Sequence, residues 1–192
     1  MTETHEKEIA RTDAALWSRF FNAESSDEYF KSWLALQCSL IPNAIQGVLI
    51  IGGKEGDNYI PVAKWPEKEV NLGRLANICE RVLEADCGLL EELDGRPSGN
   101  QQPSLHYAAA YPVHVEKELS GVVALEVSAV TEDQLKATMV HLQWGVSWVE
   151  LFLCRQQAHE VEHALTRVRS SVDILAGVLG EDHFDRASMA FV

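Results

Sequence analysis

Between Leu105 and Ala129 the chain reads LHYAAAYPVHVEKELSGVVALEVSA, two apolar runs around a short charged turn. No other stretch constrains the fold as strongly. In an extended strand successive side chains point to opposite faces. Leu105, Tyr107, Ala109, Tyr111, Val113 and Val115 then share one face, and His106, Ala108, Ala110, Pro112 and His114 the other. The second strand, Gly121–Ala129, is apolar on both faces except for Glu126 and Ser128. Strands of this kind need cover on both sides, so the hairpin predicts a sheet with one face packed on helices and the other largely covered too.

The remaining pattern supplies those layers. Residues 5–22 read as a helix with Ile9, Leu16, Trp17, Phe20 and Phe21 on an irregular apolar stripe. Ser25 and Glu28 form a capping box for a second helix, which Pro42-Asn43 ends. GVLIIGG (47–53) and YIPVAKWP (59–66) read as a hairpin, with Pro61 placing the second strand at an edge or a bulge. A helix over 72–83 carries Leu75, Ile78, Cys79 and Val82 on one face. GLLEEL (88–93) reads as a short strand, and DGRPSGNQQPS (94–104) as a polar, mobile loop.

Thr131 and Gln134 cap a long final helix. One apolar series runs through Leu135, Met139, Leu142, Val146, Val149 and Leu153, and a second from Cys154 through Ala158, Val161, Leu165, Val168, Val172 and Leu175 to Leu179. The seam slips by one residue between them, so a twist or break is expected near Arg155 and a stop at Gly180. Unbroken, 132–179 would extend about 70 Å, against about 30–35 Å for a domain of this size. The distal half therefore needs a partner helix, and its four-three spacing is that of a coiled coil. The expected partner is a second copy of the chain, with 5–22 completing a bundle.

The organisation expected from these elements is α+β: an N-terminal helix in 1–24, a globular domain in 25–153, a helical extension in 154–180, and in 181–192, from Asp182, the start of a following segment. Composition narrows the partners. A formal net charge of −13 opposes binding to nucleic acid or an anionic membrane surface. The polar N-terminus MTETHEKEIARTD lacks the layout of a signal peptide, and the expected location is cytoplasmic. Cys38, Cys79, Cys87 and Cys154 contain no C-x-x-C pair and read as buried thiols, with Cys79/Cys87 as the redox alternative.

The order of elements, together with WLALQCSLIPNAIQGVLIIGG, YIPVAKWP and AYPVHVEKELSGVVALEV, resembles a GAF domain over residues 26–153. The resemblance implies an antiparallel sheet of five or six strands between helical layers. It also implies a small-molecule pocket over one face, roofed by 66–104, and long terminal helices that pair and transmit a signal. The aromatics nearest such a pocket would be Tyr59, Trp65 and Tyr111, with His106 beside them. A narrower likeness, carried by AALWSRFF, WLALQCSLIP, VAKWPE and LQWGVSWVE, is to the N-terminal GAF region of haemolysin-D-type secretion adaptors. The cyclic-nucleotide Asn-Lys-Phe-Asp-Glu pattern, the bilin Cys-His pair and the cysteine set of GAF-fold methionine sulfoxide reductases are all missing, so no cofactor is named.

HEVEH (159–163) matches the H-E-x-x-H zinc motif. If Ala158 and Val161 lie on the seam, His159 and His163 fall on the solvent side, away from any cleft, and no third ligand follows at the required spacing. The pair would hold only an adventitious metal. Trp144 and Trp148, one turn apart beside Gly145, read as core packing in which Gly145 admits another helix; the alternative is a ligand or dimer contact. Arg74 is placed to meet an anion or form a surface salt bridge. The function expected is a non-enzymatic sensor or regulatory domain that binds a small molecule and signals through dimerising helices. The alternatives are a structural dimerisation module with a filled pocket and, behind it, a thiol redox enzyme or a metallopeptidase.

Overall fold

A computed structural model describes residues 14–53, 56–67, 72–93, 105–129 and 131–189, with side chains of the last helix described through 172. The first part of the N-terminal helix, the loop over 94–104 and part of the expected roof over 66–104 therefore lie outside the described residues. The chain divides into two compact units, Met1–Leu151 and Phe152–Val192.

In the first unit, helix α1 (14–21) is followed by α2 (Ser26–Leu40). The Ser25 hydroxyl accepts from the Glu28 amide at 3.2 Å, while the Glu28 carboxylate reaches back to the Glu24 amide at 3.1 Å. Together they satisfy amide donors that a helix start leaves open. The helix stops because Ile41 precedes a proline and is held extended at φ −89°, ψ 114°. Asn43 then takes φ 61°, a left-handed turn that asparagine tolerates.

Strands β1 (Ala44–Gly53), β2 (Gly56–Trp65), β3 (Leu89–Leu93), β4 (Leu105–Val115) and β5 (Glu118–Ala129) form one antiparallel sheet in the order β2-β1-β5-β4-β3. β2 is an edge strand, and the β1–β2 register shifts opposite Pro61, so the proline occupies both of its expected settings. β5 starts at Glu118, earlier than the sequence pattern predicts, because β4 and β5 are joined by only Glu116 and Lys117. Both lie at positive φ, 53° and 73°. A two-residue hairpin turn demands this geometry, which matches strand twist, even without glycine.

α3 (Leu72–Ala85) covers one face of the sheet. Leu75, Ile78, Cys79 and Val82 pack on Val48, Ala108, Ala110, Val122 and Ala124. α2 lies on the other face: a side chain at Gly47 would run into Leu125, Cys38 and Leu34. The first turns of α4 (Glu132–Met189) bury Leu135, Thr138, Leu142, Val146 and Val149. Gly145 lets α2 approach, since a Cβ there would sit 2.3 Å from Gln37 Oε1. The Trp33 indole donates to the Gly145 carbonyl at 3.0 Å and the Tyr29 hydroxyl to the Trp148 carbonyl at 2.9 Å. Sheet alternation thus becomes a helix–sheet–helix sandwich, as the apolar hairpin requires.

Four sequence expectations are corrected here: a break near Arg155, a stop at Gly180, a fresh start at Asp182, and a core role for Trp144 and Trp148. α4 is a single helix of 58 residues that passes through Arg155, through Gly180 and past Asp182. One glycine costs only about 1 kcal/mol of helix propensity, too little to end a helix by itself. Trp144 is not core: its side chain is 74% exposed, and Trp148 is 47% exposed. Gly145 does admit α2, but the tryptophans on either side of that contact face outward.

Candidate functional site

The polar centre of the domain sits on the α3 face of the sheet. Glu126 interrupts the apolar run 121–127 of β5 and is 1% exposed. β-Pairing places Gln46 of β1 directly beside it, and Ala108 of β4 on its other side. His106, two residues before Ala108, projects from the same face of β4, and Arg74 reaches down from the first turns of α3. Glu126 Oε2 accepts from the Gln46 amide at 2.6 Å. Glu126 Oε1 accepts from Arg74 Nη1 at 2.8 Å and from His106 Nδ1 at 2.8 Å.

The physical logic is that of a compensated buried carboxylate. Such a group is tolerated in a core only when donors replace its water. Here they come from three different elements. Gln46 is buried, while Arg74 and His106 keep 36% and 27% of their side-chain surface open. Glu126 thus serves as a fixed anchor that orients a guanidinium and an imidazole whose outer sides remain reachable. Arg74 spends one terminal nitrogen on Glu126, and it stands in the first turn of a helix that carries no acidic residue there. Guanidinium donors at a helix start form a setting for acceptor oxygens. A second ion pair, Arg81–Glu91, joins α3 to β3.

Of the four residues expected near a pocket, only His106 belongs to this cluster. Tyr59 pairs across from Gly52, whose missing side chain makes room for the tyrosine ring, at the other end of β1 from Gln46. Trp65 pairs with Gly47 and so shares the α2 face. Tyr111 packs beside Gly88 and Met139 of α4, also away from α3. His114 does not join His106: eight residues along an extended strand put them about 27 Å apart, and His114 meets Asp86 at 2.7 Å and Glu150. Glu126 was visible in the sequence only as a break in apolar alternation, and Gln46 carried no signal at all. Arg74 does form an ion pair, but with a buried carboxylate.

The other candidates separate clearly. His159 and His163 are exposed, with their Nε2 atoms 3.1 Å apart. No group of three metal-ligating side chains occurs among the described residues. Cys38 and Cys79 are buried, Cys87 is exposed and Cys154 is half-buried. Burial pushes the Cys79 thiol up to about 12, with Glu80 adding to the shift, and raises Cys38 further. Cys79 is therefore poorly suited to thiolate chemistry. Among the described residues, no helix is long and apolar enough to cross a membrane.

The architecture is that of an α+β module in which one antiparallel sheet is sandwiched by helices, with a polar cluster under the middle helix. More particularly, the chain has a GAF-like fold. It superposes on a GAF domain of A. aeolicus nlh2 in an inactive state with a TM-score of 0.53 at 12% identity, over 79% of this chain and 98% of that one. The GAF domain of a phosphoenolpyruvate-protein phosphotransferase from Coxiella burnetii matches at 13% identity and TM-score 0.44, over 79% and 96% of the two chains. That of a two-component sensor histidine kinase from Bacillus halodurans matches at 12% and 0.43, over 68% and 99%. No family model matches the sequence, and no curated protein does.

Proposed function

We propose that this chain is a non-enzymatic sensor or regulatory domain that binds a small molecule bearing acceptor oxygens at the Arg74–His106–Glu126 cluster and signals as a homodimer through its helices. The observation that carries this reading is the fully buried Glu126, which holds two cationic or donor side chains from α3 and β4 in a fixed arrangement at the edge of the helix–sheet interface. A ligand that bridged Arg74 and His106 would couple α3 to β4. Differential affinity for two placements of α3 would then shift the population between them.

Native mass spectrometry of the protein as purified tests the reading. A dimer mass with a retained small anion, lost in Arg74→Ala, supports it. Failure of small carboxylates and phosphates alike to raise the melting temperature of the wild type would overturn the ligand part.

A second reading, a structural dimerisation module, is favoured by a separate observation. The apolar face of α3 is sealed against Ala108, Ala110 and Ala124, each fully buried. On that reading Glu126 fixes α3 in place and nothing binds. Arg74→Ala would then destabilise the domain without altering any ligand response.

A further inference from the structure

The exposed apolar residues of α4 follow one rule. Within the first unit they are Val140, Trp144, Trp148 and Leu151; within the second, Val161, Leu165, Val168 and Val172. Apart from Trp148, all fall on one strict seven-residue repeat. Its first core position takes Ala137, Trp144, Leu151, Ala158, Leu165 and Val172, and its second takes Val140, Ser147, Cys154, Val161 and Val168. The buried residues of the first unit, Leu142, Val146 and Val149, belong to a different stripe. Leu142 and Trp144 are two residues apart, about 200° around a helix of 3.6 residues per turn.

The slip read from the sequence near Arg155 is therefore no slip. Two apolar stripes share residues 135–153 of α4. One is consumed by the domain core, and the other follows, in the sequence, the same seven-residue repeat as Val161, Leu165, Val168 and Val172. A sustained strict heptad favours left-handed pairing with another helix.

In the first unit the stripe widens into an aromatic patch. Phe20 packs edge-on against Trp148 at 6.1 Å, and Trp17 stacks on Phe21 at 5.6 Å. Trp17 and Phe21 remain exposed beside it. With roughly 150–250 Å² per large side chain, the exposed fractions amount to about 700 Å² in the first unit and about 400 Å² in the second. Stable interfaces take about 800 Å² per partner, and uncovered apolar patches of this size mark interaction sites.

Resting on the homodimer reading above, we infer that the occupant of this stripe is the same stripe of a second copy, parallel and in register, with Trp144 facing Trp144. A parallel pair matches the broad aromatic patch to itself and the narrow Val/Leu seam to itself. An antiparallel pair would set the broad patch of one copy on the narrow seam of the other and leave apolar surface uncovered. The pairing begins at Val140, inside the globular unit, so the helix turns that hold Leu142, Val146 and Val149 in the core also form the dimer contact.

Cys154 provides the test, because it sits at a second core position of the repeat. Facing residues there come within the roughly 4.4–6.8 Å Cα separation that a disulfide spans. Cys87→Ser protein is treated with copper–phenanthroline, which takes two electrons as two thiols release their protons and join. The expected result is near-complete conversion to a covalent dimer, lost in Cys154→Ser. Trp144→Glu, whose ring is exposed in the protomer, keeps its circular dichroism spectrum while the dimer dissociation constant rises on the order of a hundredfold. A wild type that is monomeric at high micromolar concentration by light scattering sinks the dimer reading altogether. A wild-type dimer that neither cross-links at Cys154 nor responds to Trp144→Glu leaves the dimer standing and refutes this register.

Discussion

Removing the Glu126 carboxylate perturbs the protein at the point where three elements meet. In Glu126→Ala the Gln46 amide, bonded at 2.6 Å and buried, is left without its acceptor. An orphaned buried donor costs about 1–3 kcal/mol. One methylene, Cγ, leaves the interior at about 0.8 kcal/mol. Arg74 and His106 are partly open and rehydrate, so their share is small. The total is about 2–4 kcal/mol, overlapping what breaking a buried pair costs. For a chain of this length that lowers the melting temperature on the order of 10 °C.

Replacing both partners by apolar groups, Gln46→Leu with Glu126→Leu, leaves no orphan between them and is expected to recover most of that loss. Urea unfolding followed by circular dichroism measures both. If Glu126→Ala unfolds within about 0.5 kcal/mol of wild type, the size expected of an ordinary surface change, the carboxylate is not an anchor and the account of the site fails. If the double leucine variant is as unstable as the alanine variant, orphaned polarity is not the cause.

Three further outcomes are expected. Gly121→Ala would place a Cβ 2.3 Å from the Ile50 carbonyl oxygen and lower stability by about 1–3 kcal/mol in thermal denaturation; a neutral result would mean that β1 and β5 are not paired in this register. Replacing Glu116-Lys117, both at positive φ, with Asn-Gly should raise stability by about 1–2 kcal/mol, and an unchanged unfolding midpoint would show that the turn carries no strain. Native protein at neutral pH should react with a thiol reagent at Cys87, while Cys38 and Cys79 react only on unfolding. Because the folded Cys79 value, about 12, lies above the unfolded 9.0, the thiol's contribution is whole below pH 9 and is lost as pH rises toward 12. Cys79→Ala should flatten that alkaline fall in a stability–pH series, and an equal fall in both proteins would refute the assignment.

Much of this was legible in the chain itself because it follows from local periodicity. Alternation in 105–129 demanded a sheet covered on both sides, the stripe of Leu75, Ile78, Cys79 and Val82 marked α3's buried face, and Ser25–Glu28 and Thr131–Gln134 form the caps they spell. Which face of the sheet a residue occupies, and what stands across from it, depends on register. Register is a relation between strands distant in sequence, and a single bulge inverts it. For that reason Trp65, paired with Gly47, lies on the face opposite α3, whereas Tyr111 stands opposite His106 by the alternation of β4 alone. Gln46 and Glu126 are 80 residues apart, and only the β1–β5 pairing makes them neighbours. The two stripes of α4 show the same division. Periodicity identified the buried stripe and the distal series, but it read Trp144 as core; that Val140, Trp144 and Leu151 are left uncovered became visible only in the packed domain.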